Sequence, residues 1–190
     1  MSIELALNRL GYTKEWLSLG IISEEYLLSQ YAEINFSEDQ NAEHYRCGAF
    51  GDYLRGKERL TTSEIDAVFS LSDNGPDNCD LTVDRIIQLI VTKILSDEQI
   101  EYISKYPAIH ESPISKRYLR EKIIRRIGKF GVNSCLKDIE ETEDSVINEH
   151  LVQHAELDYD LVLWLKDHGL NKRVRNIAKQ MSNNKKYKNA

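Results

Sequence analysis

A chain of 190 residues with 41% hydrophobic and 29% charged side chains holds enough apolar material for one domain or a short repeat array, and too much for a disordered chain. Nine glycines and three prolines are too few for the many turns of a sheet-rich fold. The net charge of −6 is segregated: residues 1–112 hold 20 acids against 9 bases, residues 113–190 hold 11 against 16, and Asp138 to Leu165 carries nine acids with no Lys or Arg.

Apolar residues recur at three and four, never in a sustained period of two, which predicts an all-α fold. About ten helices are expected: 2–10, 14–19, 23–33, 38–55, 62–71, 81–95, 97–106, 113–127, 143–155 and 158–168, with 170–182 as a further candidate. Capping boxes are read at Ser37 with Gln40, Thr61 with Glu64 and Ser96 with Gln99, where a hydroxyl and a longer side chain satisfy backbone N–H groups reciprocally. Ser112 before Pro113 is read as a cap followed by a proline at the first helical position. Gly11, Gly20, Gly56, Gly128 and Gly169 stand where helix C-termini are expected. The broad stripe Ile86, Ile87, Ile90, Val91, Ile94 and Leu95 predicts a helix surrounded by others. Residues 1–182 are expected to form a single helical domain and 183–190 a polar tail.

Cys47, Cys79 and Cys135 are widely spaced and odd in number, so a disulfide framework is not expected and a reducing compartment is. The N-terminus places an acid where a secretion signal needs an apolar core, and the stretch Ile86 to Leu95 is short and carries Lys93. A cytoplasmic protein with no membrane span is therefore the expectation.

Candidate chemistry is sparse. His150 and His154 share a helical face, but Leu151 stands where a zinc-protease pattern needs Glu, and no third ligand is evident. His44 and Cys47 share another face without an orienting third group. Asp73, Asn74, Gly75, Asp77 and Asn78 suit a cation or a plain turn. No phosphate-cradling glycine loop occurs. No enzyme activity, cofactor or metal is expected.

The basic residues Lys116, Arg117, Arg120, Lys122, Arg125, Arg126 and Lys129, with Lys172, Arg173, Arg175, Lys185, Lys186 and Lys188, invite a nucleic-acid reading over 116–129 and 172–188. The acidic stretch between them opposes it, because phosphate neutralisation needs a coherent positive patch. A basic protein partner uses the acids better. The residues singled out for that contact are Glu140, Glu141, Glu143, Asp144 and Glu149, with Glu24, Glu25, Glu33 and Tyr31 in the acidic first half. Tyr26, Tyr45 and Tyr53 add aromatics of the kind that anchor interfaces.

Three stretches share an outline: SEIDAVFSL with VDRIIQLIVTKI, DEQIEYISKY with SKRYLREKII, and DYDLVLWLKDHG with NKRVRNIAKQM. Over residues 62–182 this resembles the helical hairpins of HEAT-type repeat proteins. The resemblance implies antiparallel hairpins stacked on one continuous core, as an adaptor or, on a basic face, as a DNA binder. In size, acidity and helical make-up the chain is similar to immunity proteins of bacterial toxin–immunity pairs. That resemblance implies an inhibitor that blocks a cognate toxin, a basic nuclease domain, with acids mimicking phosphates.

Overall fold

The computed structural model describes residues 2–73 and 80–184. Asn74, Gly75, Asp77 and Asn78 of the polar loop, Cys79, and Lys185, Lys186 and Lys188 of the tail lie outside the described residues. Those described contain twelve α-helices and no strand, so the all-α expectation holds. The chain forms two compact units, Met1–Ser115 and Lys116–Ala190.

The first unit contains α1 (Ile3–Leu10), α2 (Glu15–Ser18), α3 (Glu24–Phe36), α4 (Ala42–Arg55), α5 (Thr62–Asp73), α6 (Asp80–Val91) and α7 (Asp97–Tyr102). Helix α1 packs on α3 and α4, and α4 packs on α6. The apolar faces of these helices bury Leu7, Leu10, Leu27, Ile34, Phe50 and Leu54. Of the broad stripe, Ile86, Ile90 and Leu95 are buried while Ile87, Val91 and Ile94 are half-buried, and Leu89, outside the stripe, is sealed from solvent. The capping boxes at Thr61 with Glu64 and Ser96 with Gln99 form as expected: Glu64 N–H donates to Thr61 Oγ1 (3.2 Å) and Thr61 N–H to Glu64 Oε2 (2.7 Å), with the matching pair at Ser96.

The box at Ser37 does not form. Ser37 is the C-cap of α3, α4 begins after Asn41, and Asn41 caps it by accepting from Glu43 N–H (3.0 Å). Gln40 instead donates to the carbonyls of Ile34 and Ser37, each at 2.7 Å, which satisfies acceptors that the end of α3 leaves open. Helix α6 stops at Val91, four residues short of the expected end, and Lys93 follows at φ 57. Helix α7 passes at Tyr102 into a 3₁₀ turn, Ile103–Lys105.

The second unit contains most of α8 (Ile114–Phe130), then α9 (Leu136–Thr142), α10 (Ser145–His154), α11 (Tyr159–His168) and α12 (Lys172–Ser182). Helix α8 starts after Pro113 and runs through Gly128 to Phe130. The positive-φ residue beyond its end is Gly131, φ 79 and ψ 165, a conformation that is essentially glycine's alone. Helix α9 lies in a stretch where no helix was expected. Helices α11 and α12 pack closely as a hairpin, and α10 packs on α12. One core joins Ile123, Ile127, Ile139, Ile147, Leu151, Leu161, Val162, Leu165, Val174 and Ala178. That core holds the apolar side of α9 and α11 inward and leaves their carboxylates outside.

Candidate partner-binding surface

The acidic stretch 138–160 is divided by the fold among three places. Asp138, Glu141, Glu143 and Asp144 line a groove of about 730 Å³ whose other wall is α8, with Lys116, Leu119, Arg120, Lys122, Ile123 and Arg126. Arg120 Nε donates to Asp144 Oδ2 at 2.7 Å, and both side chains are mostly buried. Arg126 pairs with Asp138 across the same groove. Asp144 also caps α10, accepting from Val146 N–H at 2.8 Å. Lys137 approaches Glu141 to 3.7 Å, and Glu143 turns the chain between α9 and α10 at φ 46. Asp138, Glu141 and Asp144 thus meet opposite charges, so little of their field is left for a partner.

Glu149 lies elsewhere. It accepts from Asn171 Nδ2 (2.9 Å) and faces Arg173 at 3.7 Å, which ties α10 to the start of α12.

The third place is an open groove of about 470 Å³ between α9 and α11. Leu136, Ile139, Leu161 and Trp164 supply apolar lining, and Glu140, Asp158 and Asp160 supply three carboxylates. Ile139 and Leu161 belong to the core, so the lining is fixed. Leu136 and Trp164 are half-buried and the three acids are exposed. Asp158 is held in place: Oδ1 accepts from Leu161 N–H at 2.8 Å as the cap of α11, and Oδ2 accepts from Asn133 Nδ2 at 3.3 Å. Neither Glu140 nor Asp160 has an ion-pair partner among the described residues. Sequence reasoning singled out Glu140 but missed the apolar lining, because α9 was not expected.

In the first unit Glu24, Glu25 and Glu33 are exposed along α3 and Tyr31 is half-buried. The other tyrosines there are engaged internally. Tyr26 donates to Asp52 (2.8 Å), Tyr45 to the Asp39 carbonyl (3.3 Å) and Tyr53 to Glu64 (3.4 Å). Burial, then the Glu64 charge, push Tyr53 up to about 12.

His44 Nδ1 sits 2.8 Å from Asp39 Oδ2. The Cys47 thiol is raised by burial and then by Asp84, which makes it a poorer nucleophile. Cys47 lines a pocket of about 400 Å³ with Gln88 and Thr92. The rings of His150 and His154 lie 5.1 Å apart, and no group of three or more potential ligands that could hold a metal occurs among the described residues. Of the basic residues on α8, Arg120 and Arg126 are spent on the groove, and Arg125 pairs with Glu121 at 2.9 Å. Lys122 lies over the Tyr118 ring and Lys129 over the Phe130 ring. No described helix is long and apolar enough to cross a membrane. No protein-family model, curated protein or solved structure matches the chain.

Proposed function

We propose that the chain is a protein-binding inhibitor of the immunity type, which neutralises a basic protein such as a toxin nuclease domain by covering its active site with an acidic face, and that it acts by binding and not by catalysis. The observation that carries this reading is the groove between α9 and α11, where Glu140 and Asp160 stand exposed without ion-pair partners among the described residues, beside apolar lining. Carboxylates that the fold does not neutralise remain available to steer a cationic partner. Tethered over a nuclease site, they would occupy the places of substrate phosphates.

The test begins with capture of the partner by the tagged full chain and continues with the purified pair. The partner is expected to be basic and to lose its activity at equal molar ratio. Stopped-flow association should slow about tenfold in the Glu140→Lys, Asp160→Lys double variant and lose much of its dependence on salt. A captured protein that keeps its activity, or an on-rate unmoved by the double reversal, would count against this reading.

A further inference from the structure

We infer that the groove between α9 and α11 receives one apolar or aromatic side chain of a partner polypeptide, bracketed in that partner's sequence by lysines or arginines. The inference rests on the inhibitor reading and names the chemistry of the segment recognised.

Two features of the groove fix the occupant. Its lining is apolar and held by the core, with Ile139 and Leu161 almost wholly covered and Trp164 half-exposed. The apolar surface left to cover is that of Leu136 and Trp164, which gains from covering by another apolar side chain; the Trp164 indole, with the His168 ring 5.9 Å away on one side, also attracts a cation. Glu140 belongs to α9, and Asp158 and Asp160 belong to the start of α11, so carboxylates come from both helices that form the groove. A lone hydrophobic segment would leave these acids unanswered, and an acidic segment or a phosphate backbone would be repelled by them. A short cationic segment with a central apolar side chain satisfies both features.

The volume of about 470 Å³ is within the range of pockets that enclose a small ligand, and is ample for one large side chain. Asp158 is already fixed by Leu161 N–H and Asn133, so ordering this acid costs a bound segment little further entropy. The groove facing α8 lacks this combination, because Asp138 and Asp144 are held by Arg126 and Arg120.

The test uses the full chain and three capped pentapeptides: Lys-Lys-Phe-Lys-Lys, Lys-Lys-Ser-Lys-Lys and Glu-Glu-Phe-Glu-Glu. The Trp164 indole N–H resonance is the readout, assigned by its loss in Trp164→Phe. The phenylalanine peptide should shift it saturably at millimolar concentration, the serine peptide about tenfold more weakly, and the acidic peptide not at all. Asp160→Lys should weaken the phenylalanine peptide by about tenfold, and Asp160→Asn by less, which guards against a variant that fails to fold. Equal affinity for the phenylalanine and serine peptides overturns the apolar anchor and leaves the acid-based inhibitor reading standing. No shift with any peptide overturns the groove as the site. A shift produced by raising the protein concentration alone overturns it in favour of a second copy of the chain. The inhibitor reading fails separately, if the captured partner is not inhibited.

Discussion

The two grooves of the second unit draw on one run of acids and on one short helix, yet they differ in what the acids do. Toward α8, Asp138 and Asp144 are held by Arg126 and Arg120. Toward α11, Glu140 and Asp160 have no such partner among the described residues. Helix α9 sends Glu141 to the first groove and Glu140 to the second, because neighbours on a helix point about 100° apart. A block of charge in sequence is therefore not a patch on the surface. The basic helix that precedes it absorbs part of the block into structure, and only the remainder is left for recognition.

The sharpest way to break this comparison is at Asp144. Its side chain caps α10 through Val146 N–H and holds Arg120 Nε, both at under 3 Å. Asp144→Ala leaves the helix uncapped and a mostly buried guanidinium short of its partner, and should cost about 2–3 kcal/mol in urea unfolding. Asp144→Asn keeps the cap and should cost about half as much. A loss under about 0.5 kcal/mol in the alanine variant would mean that this groove's acids are as idle as those toward α11.

A carboxylate in the first unit calibrates what one paired acid contributes. Glu64 accepts from Lys57 Nζ and from Thr61 N–H, each at 2.7 Å, and these bonds, the Lys57 bond first, hold its carboxyl down to about 2. Unfolded, the same group titrates near 4.3. A depressed folded value contributes stability that is fully present above the unfolded value and is lost as pH falls from about 4.3 toward 2. Glu64→Gln can still close the capping box but gives up the charge. It should cost about 1 kcal/mol at neutral pH, and the wild-type advantage should vanish in acid titrations followed by circular dichroism near pH 2.

Much of the fold was legible because long helices repeat their apolar period two or three times. The stripe around Ile86, the boxes at Thr61 and Ser96 and the stops at Gly11 and Gly169 are local signals that the packing respects. What sequence reasoning missed has local causes too. Helix α9 has seven residues with one fully buried side chain, Ile139, and Cys135 at its start offers no capping bond, so neither period nor cap announces it. Ser37 and Gln40 satisfy the spacing of a capping box, but Gln40 reaches back to the end of α3 instead. Glu140 was legible as an acid, whereas its place beside Leu136 and Trp164 depended on α9 meeting α11, which spacing along one chain does not encode.

The smallest expected effect is the most discriminating. If the acids toward α11 are kept for a partner, the fold should not need them. Glu140 and Asp160 are exposed and lack ion pairs among the described residues, and the one cap bond at this end of α11 comes from Asp158. Glu140→Gln with Asp160→Asn should change the urea midpoint by less than about 0.5 kcal/mol equivalent, since surface substitutions away from caps and buried pairs fall in that range. Asp160 lies in the first turn of α11, where a negative charge favours the helix by a few tenths of a kcal/mol, roughly 0.3–1 at low salt, so whatever loss appears should shrink in high salt. The same variant should bind the cationic phenylalanine peptide more weakly. Stability unchanged with binding reduced assigns these acids to recognition; a loss approaching that of Asp144→Ala would return them to the architecture and erase the distinction between the two grooves.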